Sequence, residues 1–350
     1  MPALRIATIG TSAITQRLLE AVALVDDVEY VAAYSRELER AERFGGPRGA
    51  RLFFNDLDAL AASDDVDAIY IASPNGLHAP QAGLLASAGK HVLVEKSLAT
   101  NRRRGQELFD TAHASGVVCL EAMRNLHTQG FDNIEANLGR LGRVTQASLR
   151  FGKVTSRIAR LRAGEHVNQF DPALGEGALV DIGVYCVEPA VALFGRPESV
   201  SASLVAITVP WATGGPFERV DVAGSVALRY PDKVVELAYS KVGDDLLGSQ
   251  VMGDEGTLLW GETSCPRDLR LVHHEDVGMA YSTVGGSEER VRSDVPQNDM
   301  VCELELFAAA ARGEEAALER VARFERVTLD SLAVMDEARR QAGVRFPDDE

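Results

Sequence analysis

Ser35, Arg36 and Arg40 stand just past an apolar run that ends at Tyr34, and all three carry hydrogen-bond donors suited to a phosphate. A guanidinium offers a planar fork of N–H groups that fits two oxygens of one phosphate, and a serine hydroxyl adds a further donor. A second anion-binding feature lies upstream. Gly10 closes the first apolar run and a helical pattern begins at Ile14, so Thr11, Ser12 and Ala13 lie where a helix N-terminus would face a pyrophosphate. Against G-x-G-x-x-G, the segment Gly10-Thr11-Ser12-Ala13-Ile14-Thr15 keeps only the first glycine, although Ser12 is small enough for backbone amides to approach and brings a hydroxyl. Taken alone, such a loop is equally a plain strand-to-helix turn. In a Rossmann domain the end of the second strand faces the adenosine ribose, where an Asp or Glu would bind a 2′-hydroxyl; here no carboxylate occurs before Glu37. Ser35 and Arg36 instead suit a 2′-phosphate, reinforced by Arg40, so NADP is expected, with NAD as the alternative cofactor. A solvated charged turn is the reading that gives these arginines no ligand.

The elements that must hold these residues follow from hydropathy. Through about residue 125, short apolar runs at 4–9, 28–34, 51–54, 68–72, 91–94 and 117–120 alternate with helical patterns such as 14–24, 79–88 and 102–114. That alternation predicts an α/β fold: a Rossmann domain over 1–124 with a doubly wound parallel sheet and right-handed crossovers. The texture then changes. A helix around 131–138 and a strand-like run at 143–151 lead through a polar connection to an apolar helical stretch at 179–194. Alternating runs follow at 199–209, 220–229, 234–240, 256–260 and 269–274. Consecutive strands without intervening helices predict an α+β domain over 125–350, built on a largely antiparallel sheet and serving substrate binding and oligomerisation. Helices near 298–311 and 328–342 close the chain, the last expected to pack back on the first domain.

At 350 residues the chain exceeds what one core usually holds, in keeping with two domains. A net charge of −16 disfavours nucleic acid or an anionic membrane as partner, since either needs a concentrated basic face. No stretch approaches the ~20 apolar residues of a membrane helix. The opening residues lack the features of a signal peptide, so a cytoplasmic location is expected. The four cysteines are scattered and expected to be buried free thiols, and the seven histidines show no metal-binding spacing, so no metal is expected. Only five of the 36 cationic residues are lysines, at 90, 96, 153, 233 and 241, which makes a lysine in a cleft conspicuous.

Further segments carry a resemblance. They are Ala68-Ile-Tyr-Ile-Ala-Ser-Pro-Asn75-Gly-Leu-His78, Lys90-His-Val-Leu-Val-Glu95-Lys96, Glu121-Ala-Met-Arg124, Gly177-Ala-Leu-Val-Asp181-Ile-Gly-Val-Tyr185 and Gly253-Asp-Glu-Gly256-Thr. In this order, across essentially the whole chain, they resemble the Gfo/Idh/MocA family of glucose-fructose oxidoreductase and inositol dehydrogenase relatives. The resemblance implies that Glu95 and Lys96 follow the fifth strand beside the nicotinamide, with Lys96 touching the substrate hydroxyl. A fixed ammonium favours the ionised form of that hydroxyl and so helps remove its proton as hydride leaves the carbon. The family motif D-x-G-x-H ends here as Asp181-Ile-Gly183-Val-Tyr185, with tyrosine for histidine, as in the branch resembling dimeric dihydrodiol dehydrogenases and NADP-dependent D-xylose dehydrogenases. Tyr185 is then the expected base, since Lys96 and an oxidised nicotinamide both favour phenolate. Asp181, at i, i+4 from Tyr185, shares its helix face and is expected to orient the substrate hydroxyl. Ser73, Asn75, His78 and Glu95 are implied beside the cofactor, although His78 equally suits a helix cap. Arg124, His127, Arg157 and Asn168 are implied along the substrate cleft.

Two departures from the family pattern stand out. E-K-P becomes Glu95-Lys96-Ser97, losing a proline that stiffens the loop and so loosening Lys96. The glycine run before Asp181 reads Gly175-Glu176-Gly177, and the acid is expected to alter substrate shape or charge preference. The expected function is NADP-dependent hydride transfer between the nicotinamide and a carbinol or carbonyl substrate (a sugar, polyol or dihydrodiol) in a homo-dimer or homo-tetramer. A non-catalytic dinucleotide sensor and a redox-neutral enzyme that retains its nicotinamide are the other uses open to the same residues. The polar stretch 153–176, folded over the cleft, is expected to choose the substrate.

Overall fold

Apolar runs broken by glycine and polar turns form β1 (Leu4–Ile9), β2 (Val28–Tyr34), β3 (Leu52–Phe54), β4 (Ala68–Ile71), β5 (His91–Glu95) and β6 (Cys119–Ala122) in a computed structural model that describes residues 2–274 and 286–350. Between them run α1 (Ala13–Val22), α2 (Leu38–Gly45), α3 (Leu57–Ala61), α4 (Asn75–Ser87) and α5 (Arg102–Ser115). All adjacent strands pair in parallel, in the order β3-β2-β1-β4-β5-β6. Helices cover both faces, so the whole of β4 is buried and its sequence, Ala-Ile-Tyr-Ile, shows no alternation. Strand order reverses between β1 and β4. A crevice opens at such a switch point outside the carboxyl ends of the strands, and Gly10, Ser35, Ser73 and Lys96 all follow strand ends on that edge.

The second half contributes α6 (Gln129–Asn137), β7 (Val144–Gly152), α7 (Ile158–Arg162), α8 (Val184–Phe194), β8 (Ser199–Thr208), β9 (Arg219–Arg229), β10 (Val234–Ser240), β11 (Ser249–Gly253), β12 (Gly256–Trp260), β13 (Leu269–His273), β14 (Glu288–Val291), α9 (Met300–Ala311) and α10 (Glu315–Ala342). Its sheet runs β14-β13-β12-β11-β7-β10-β9-β8 and is antiparallel except where β7 and β10 pair in parallel. The α/β plus α+β expectation therefore holds. Several elements went unread. Helix α2 is Leu-Glu-Arg-Ala-Glu-Arg-Phe-Gly and buries only Ala41 and Gly45, too little for an apolar stripe. Charges at Glu319, Arg320, Arg323 and Arg326 likewise mask the first half of α10, which starts well before residue 328 because Ala317, Val321 and Phe324 still face inward.

The C-terminal helices join the two cores. Met300, Leu304 and Phe307 of α9 and Val321 of α10 pack with Ile6, Leu18 and Tyr70, whereas Phe324, Leu332, Met335 and Ala338 pack with Val184, Val187 and Leu237. One continuous helix thus spans both apolar clusters. Among the described residues no helix is long and apolar enough to cross a membrane.

Candidate active site

The loop after β1 reaches the crevice because Gly10 adopts φ +108, and a Cβ there would lie 2.5 Å from the Ala72 carbonyl oxygen. Only glycine fits. Gly10→Ala is expected to cost about 1–3 kcal/mol of stability and to weaken dinucleotide binding, as read by denaturant melts and NADP titration; unchanged values in both would show the loop to be unimportant. Ser12 is the N-cap of α1 but makes no side-chain cap; its hydroxyl pairs with Thr15 Oγ1 at 3.4 Å. The first-turn amides of α1, from Ala13 and Ile14 onward, are consequently left for an external anion.

A cavity of about 450 Å³ opens beside this loop, lined by Thr11, Glu37, Arg40, Arg43, Phe44 and Arg48. Arg40 Nε donates to Thr11 Oγ1 at 2.9 Å, and the Arg48 guanidinium stacks 4.3 Å from the Phe44 ring centroid while donating to the Phe44 carbonyl. Three guanidiniums around one cavity suit a phosphorylated ribose, so the residues present fit NADP. Arg43 and Arg48, both unforeseen, line this cavity together with the expected Arg40; Arg36, exposed like these three, is outside the lining. Ser35 is half-buried, its amide donating to the Phe54 carbonyl.

Lys96 lies one residue past β5, and its Nζ donates to both the carbonyl oxygen and Oδ1 of Asp181, each at 2.7 Å. Lys241, one residue past β10, holds Asp181 Oδ2 at 2.5 Å and donates to the Gln169 carbonyl at 3.0 Å. Asp181 is therefore a carboxylate shared by two ammonium groups. Although burial opposes its charge, Lys96 and Lys241 hold it well below the usual carboxylate range; reciprocally, Asp181 outweighs the burial of Lys96 and keeps its ammonium charged. Residues 179–183 form a π-turn rather than regular α-helix, with the Gly183 Cα against the Tyr239 ring, where a Cβ would approach to 3.1 Å. Both carboxylate oxygens of Asp181 are engaged by the two lysines.

Tyr185, 8% exposed, packs edge-on to Phe151 with centroids 5.5 Å apart, and the Lys96 ammonium lies 5.4 Å from its ring centroid. Arg124 Nε donates to the phenol oxygen at 3.3 Å, while the same guanidinium is ion-paired with buried Asp299, which also takes Arg17 at 2.6 Å. Arg124 thus links Tyr185 to Asp299. Nothing local marked Asp299 in the sequence, but Lys241 carried a signal, being one of only five lysines.

The remaining candidates divide. Ser97 is fully buried; its Oγ donates to the Val180 carbonyl at 3.0 Å and its own carbonyl faces His78 Nδ1 at 2.9 Å. These tethers anchor the Lys96 loop without the proline, correcting the expected loosening. His78 Nε2 faces the Ser73 carbonyl at 2.7 Å, so the ring lies between two loops instead of capping a helix; burial holds its pKa down, and the neutral ring donates to one of the two carbonyls. Ser73 Oγ donates to Gln81 at 2.7 Å. Glu95 is buried and raised in pKa, accepting from Tyr70 at 2.5 Å. The Asn75 amide donates to Glu176 Oε1 at 3.2 Å. Arg157 and Asn168 are exposed and hydrogen-bond to none of these groups among the described residues. His127 is buried with both ring nitrogens unpartnered, packs edge-on to Phe324 and is pushed down to about 3 by burial, which makes it a neutral core residue.

Comparison with known proteins places this geometry. A family profile described as "Oxidoreductase family, NAD-binding Rossmann fold" matches residues 4–123, and "GFO/IDH/MocA C-terminal domain" matches 136–259. The chain is 35% identical to scyllo-inositol 2-dehydrogenase (NADP(+)) of Bacillus subtilis, with 99% of each chain covered. It is 30% identical to dTDP-3,4-didehydro-2,6-dideoxy-alpha-D-glucose 3-reductase of Streptomyces violaceoruber, over 89% of this chain and 86% of that one. Among solved structures, a 3-ketoreductase from Actinomadura kijaniata in complex with NADP and TDP-benzene has a TM-score of 0.77 over 97% of both chains, at 23% identity, a likeness of fold.

Proposed function

The chain belongs to the Gfo/Idh/MocA oxidoreductase family, and from that premise we propose that it is an NADP-dependent oxidoreductase moving hydride between the nicotinamide and a carbinol carbon of a sugar, polyol or dihydrodiol. The observation that carries this reading is the Lys96–Asp181–Tyr185 arrangement at the carboxyl edge of the parallel sheet. On this reading residues 1–124 hold the nucleotide and 125–350 hold the substrate, with Gly10 to Ile14 at the pyrophosphate and Ser35, Arg40, Arg43 and Arg48 at the 2′-phosphate.

When bound, the nicotinamide accepts or returns the hydride. Tyr185 takes the carbinol proton during oxidation and returns it during reduction. Lys96 spends two N–H groups on Asp181, leaving the third for the carbinol oxygen. Negative charge arriving at the phenol oxygen meets the Arg124 guanidinium, whose aim is set by Asp299. Asp181 and Arg124 act as positioning residues, the first for Lys96 and the second for Tyr185. On the same reading the protein acts in the cytoplasm as a homo-dimer or homo-tetramer.

Absorbance of reduced cofactor, followed with NADP and NAD against inositols, aldoses and aromatic dihydrodiols, tests the activity; silence across the panel contradicts it. Cofactor choice has a separate test. Arg40→Ala is expected to lower NADP affinity relative to NAD by about tenfold or more, with a smaller change for Arg36→Ala, which lies outside the cavity lining. Equal losses for NADP and NAD in the Arg40 variant would refute the phosphate assignment.

A further inference from the structure

Glu176 has no task in the mechanism above, yet the backbone is built to place it. Gly175 has φ +70, and a Cβ there would lie 2.5 Å from Thr100 Cγ2; a Cβ on Gly177 would lie 2.4 Å from Asp221 Oδ1. Neither flanking position tolerates a side chain, so this turn delivers one side chain only, that of Glu176. Its Oε1 accepts from the Asn75 amide at the start of α4, whereas Oε2 has no protein partner among the described residues and is not sealed away. The charged and titratable groups around it are Lys96 after β5, Asp181 in the π-turn and Lys241 after β10. His78 on α4 is held toward its neutral form by burial.

A charge sum gives this carboxyl a role. Lys96, Lys241 and Asp181 together carry one surplus positive charge, which would draw an anionic substrate into the cleft. An ionised Glu176 cancels it. Across Tyr185, Arg124 and the more exposed Arg17 share buried Asp299 in a separate group, beside Glu95 and Glu303, both pushed up by burial.

Building on the proposed oxidoreductase function, we infer that Glu176 sets the permitted substrate charge, selecting an uncharged sugar or polyol over one carrying a carboxylate or phosphate. Burial, and then the nearby Asp181 carboxylate, push Glu176 up to about 7. The sign follows: above pH 7 the ionised carboxyl repels anions, and below it the protonated form leaves the surplus positive charge uncancelled.

Calorimetric titration of the NADP-loaded chain with D-glucose and D-glucuronate, which differ by a hydroxymethyl against a carboxylate, tests the inference without turnover. At pH 8 the wild type should bind glucuronate more weakly than glucose by about tenfold or more. Glu176→Gln should close most of that gap while glucose affinity stays within about threefold, and wild type at pH 6 should close it similarly. In the variant the gap should be the same at both pH values. A gap that Glu176→Gln leaves unchanged, or the lack of any gap in wild type, overturns the inference. If the gap behaves as expected but no carbinol reduces NADP, the oxidoreductase reading fails instead.

Discussion

Lys96→Met is expected to lower kcat about 10³-fold, within the 10²–10⁴ range that groups assisting proton transfer contribute, while NADP affinity stays within about threefold. The two effects separate because of Asp181. With the Lys96 ammonium gone, Asp181 keeps Lys241 at 2.5 Å, so no carboxylate is stranded and the π-turn retains its anchor. Methionine occupies a similar length of cleft, so the fold should persist. Rates of NADPH formation beside fluorescence titration of NADP read both quantities. Retained turnover would remove Lys96 from the chemistry, whereas lost NADP binding would make its role structural.

Asp181→Asn is expected to produce the second large effect, through charge rather than shape. It leaves Lys96 and Lys241 as neighbouring ammonium groups without a shared counterion, an arrangement costly in a part-buried site. Because the Asp181 side chain retains 28% exposure, solvent screening lowers the penalty to about 2–3 kcal/mol. The pH dependence has a definite sign. Asp181 is depressed in the folded chain, so in wild type its stabilisation is full above the unfolded value of ~3.9 and drains away as pH falls through the still lower folded value. The asparagine variant should therefore lose stability at neutral pH and show less additional loss on acidification. Activity adds a readout that simple destabilisation would not move: the Lys96 proton becomes easier to lose, so an alkaline limb of kcat/KM should shift to lower pH. Denaturant melts at pH 7 and pH 3 with a pH–rate profile check both, and wild-type stability with an unmoved profile would contradict the shared-counterion picture.

Where periodicity and a local chemical signal coincided, the fold and site were readable from sequence. The doubly wound sheet announces itself in short apolar runs between helical patterns, and Ser73 and Lys96 fall at its carboxyl edge because they follow strand-like runs. What stayed hidden depends on distant partners. Lys241 meets Asp181 across the interior of the second domain, a meeting that needs β10 paired in parallel with β7, which no local pattern encodes. Arg124 looked free because Asp299, which claims it, sits just before α9. Arg43 and Arg48, which line the cationic cavity beside the expected Arg40, gave no signal because the charged stretch through α2 has no helical stripe to show which arginines share a face. Ser97 and Val180 form a tether that compensates for the missing proline, visible only once the two domains meet.

Single-turnover mixing with NADP and a substrate deuterated at its carbinol carbon, using the best substrate from the activity panel, tests hydride transfer most directly. Mass analysis of the released cofactor should find the deuterium in NADPH, and Lys96→Met should abolish it. NADP recovered unlabelled and oxidised, or deuterium found only in a sugar product formed without net cofactor reduction, would contradict the account.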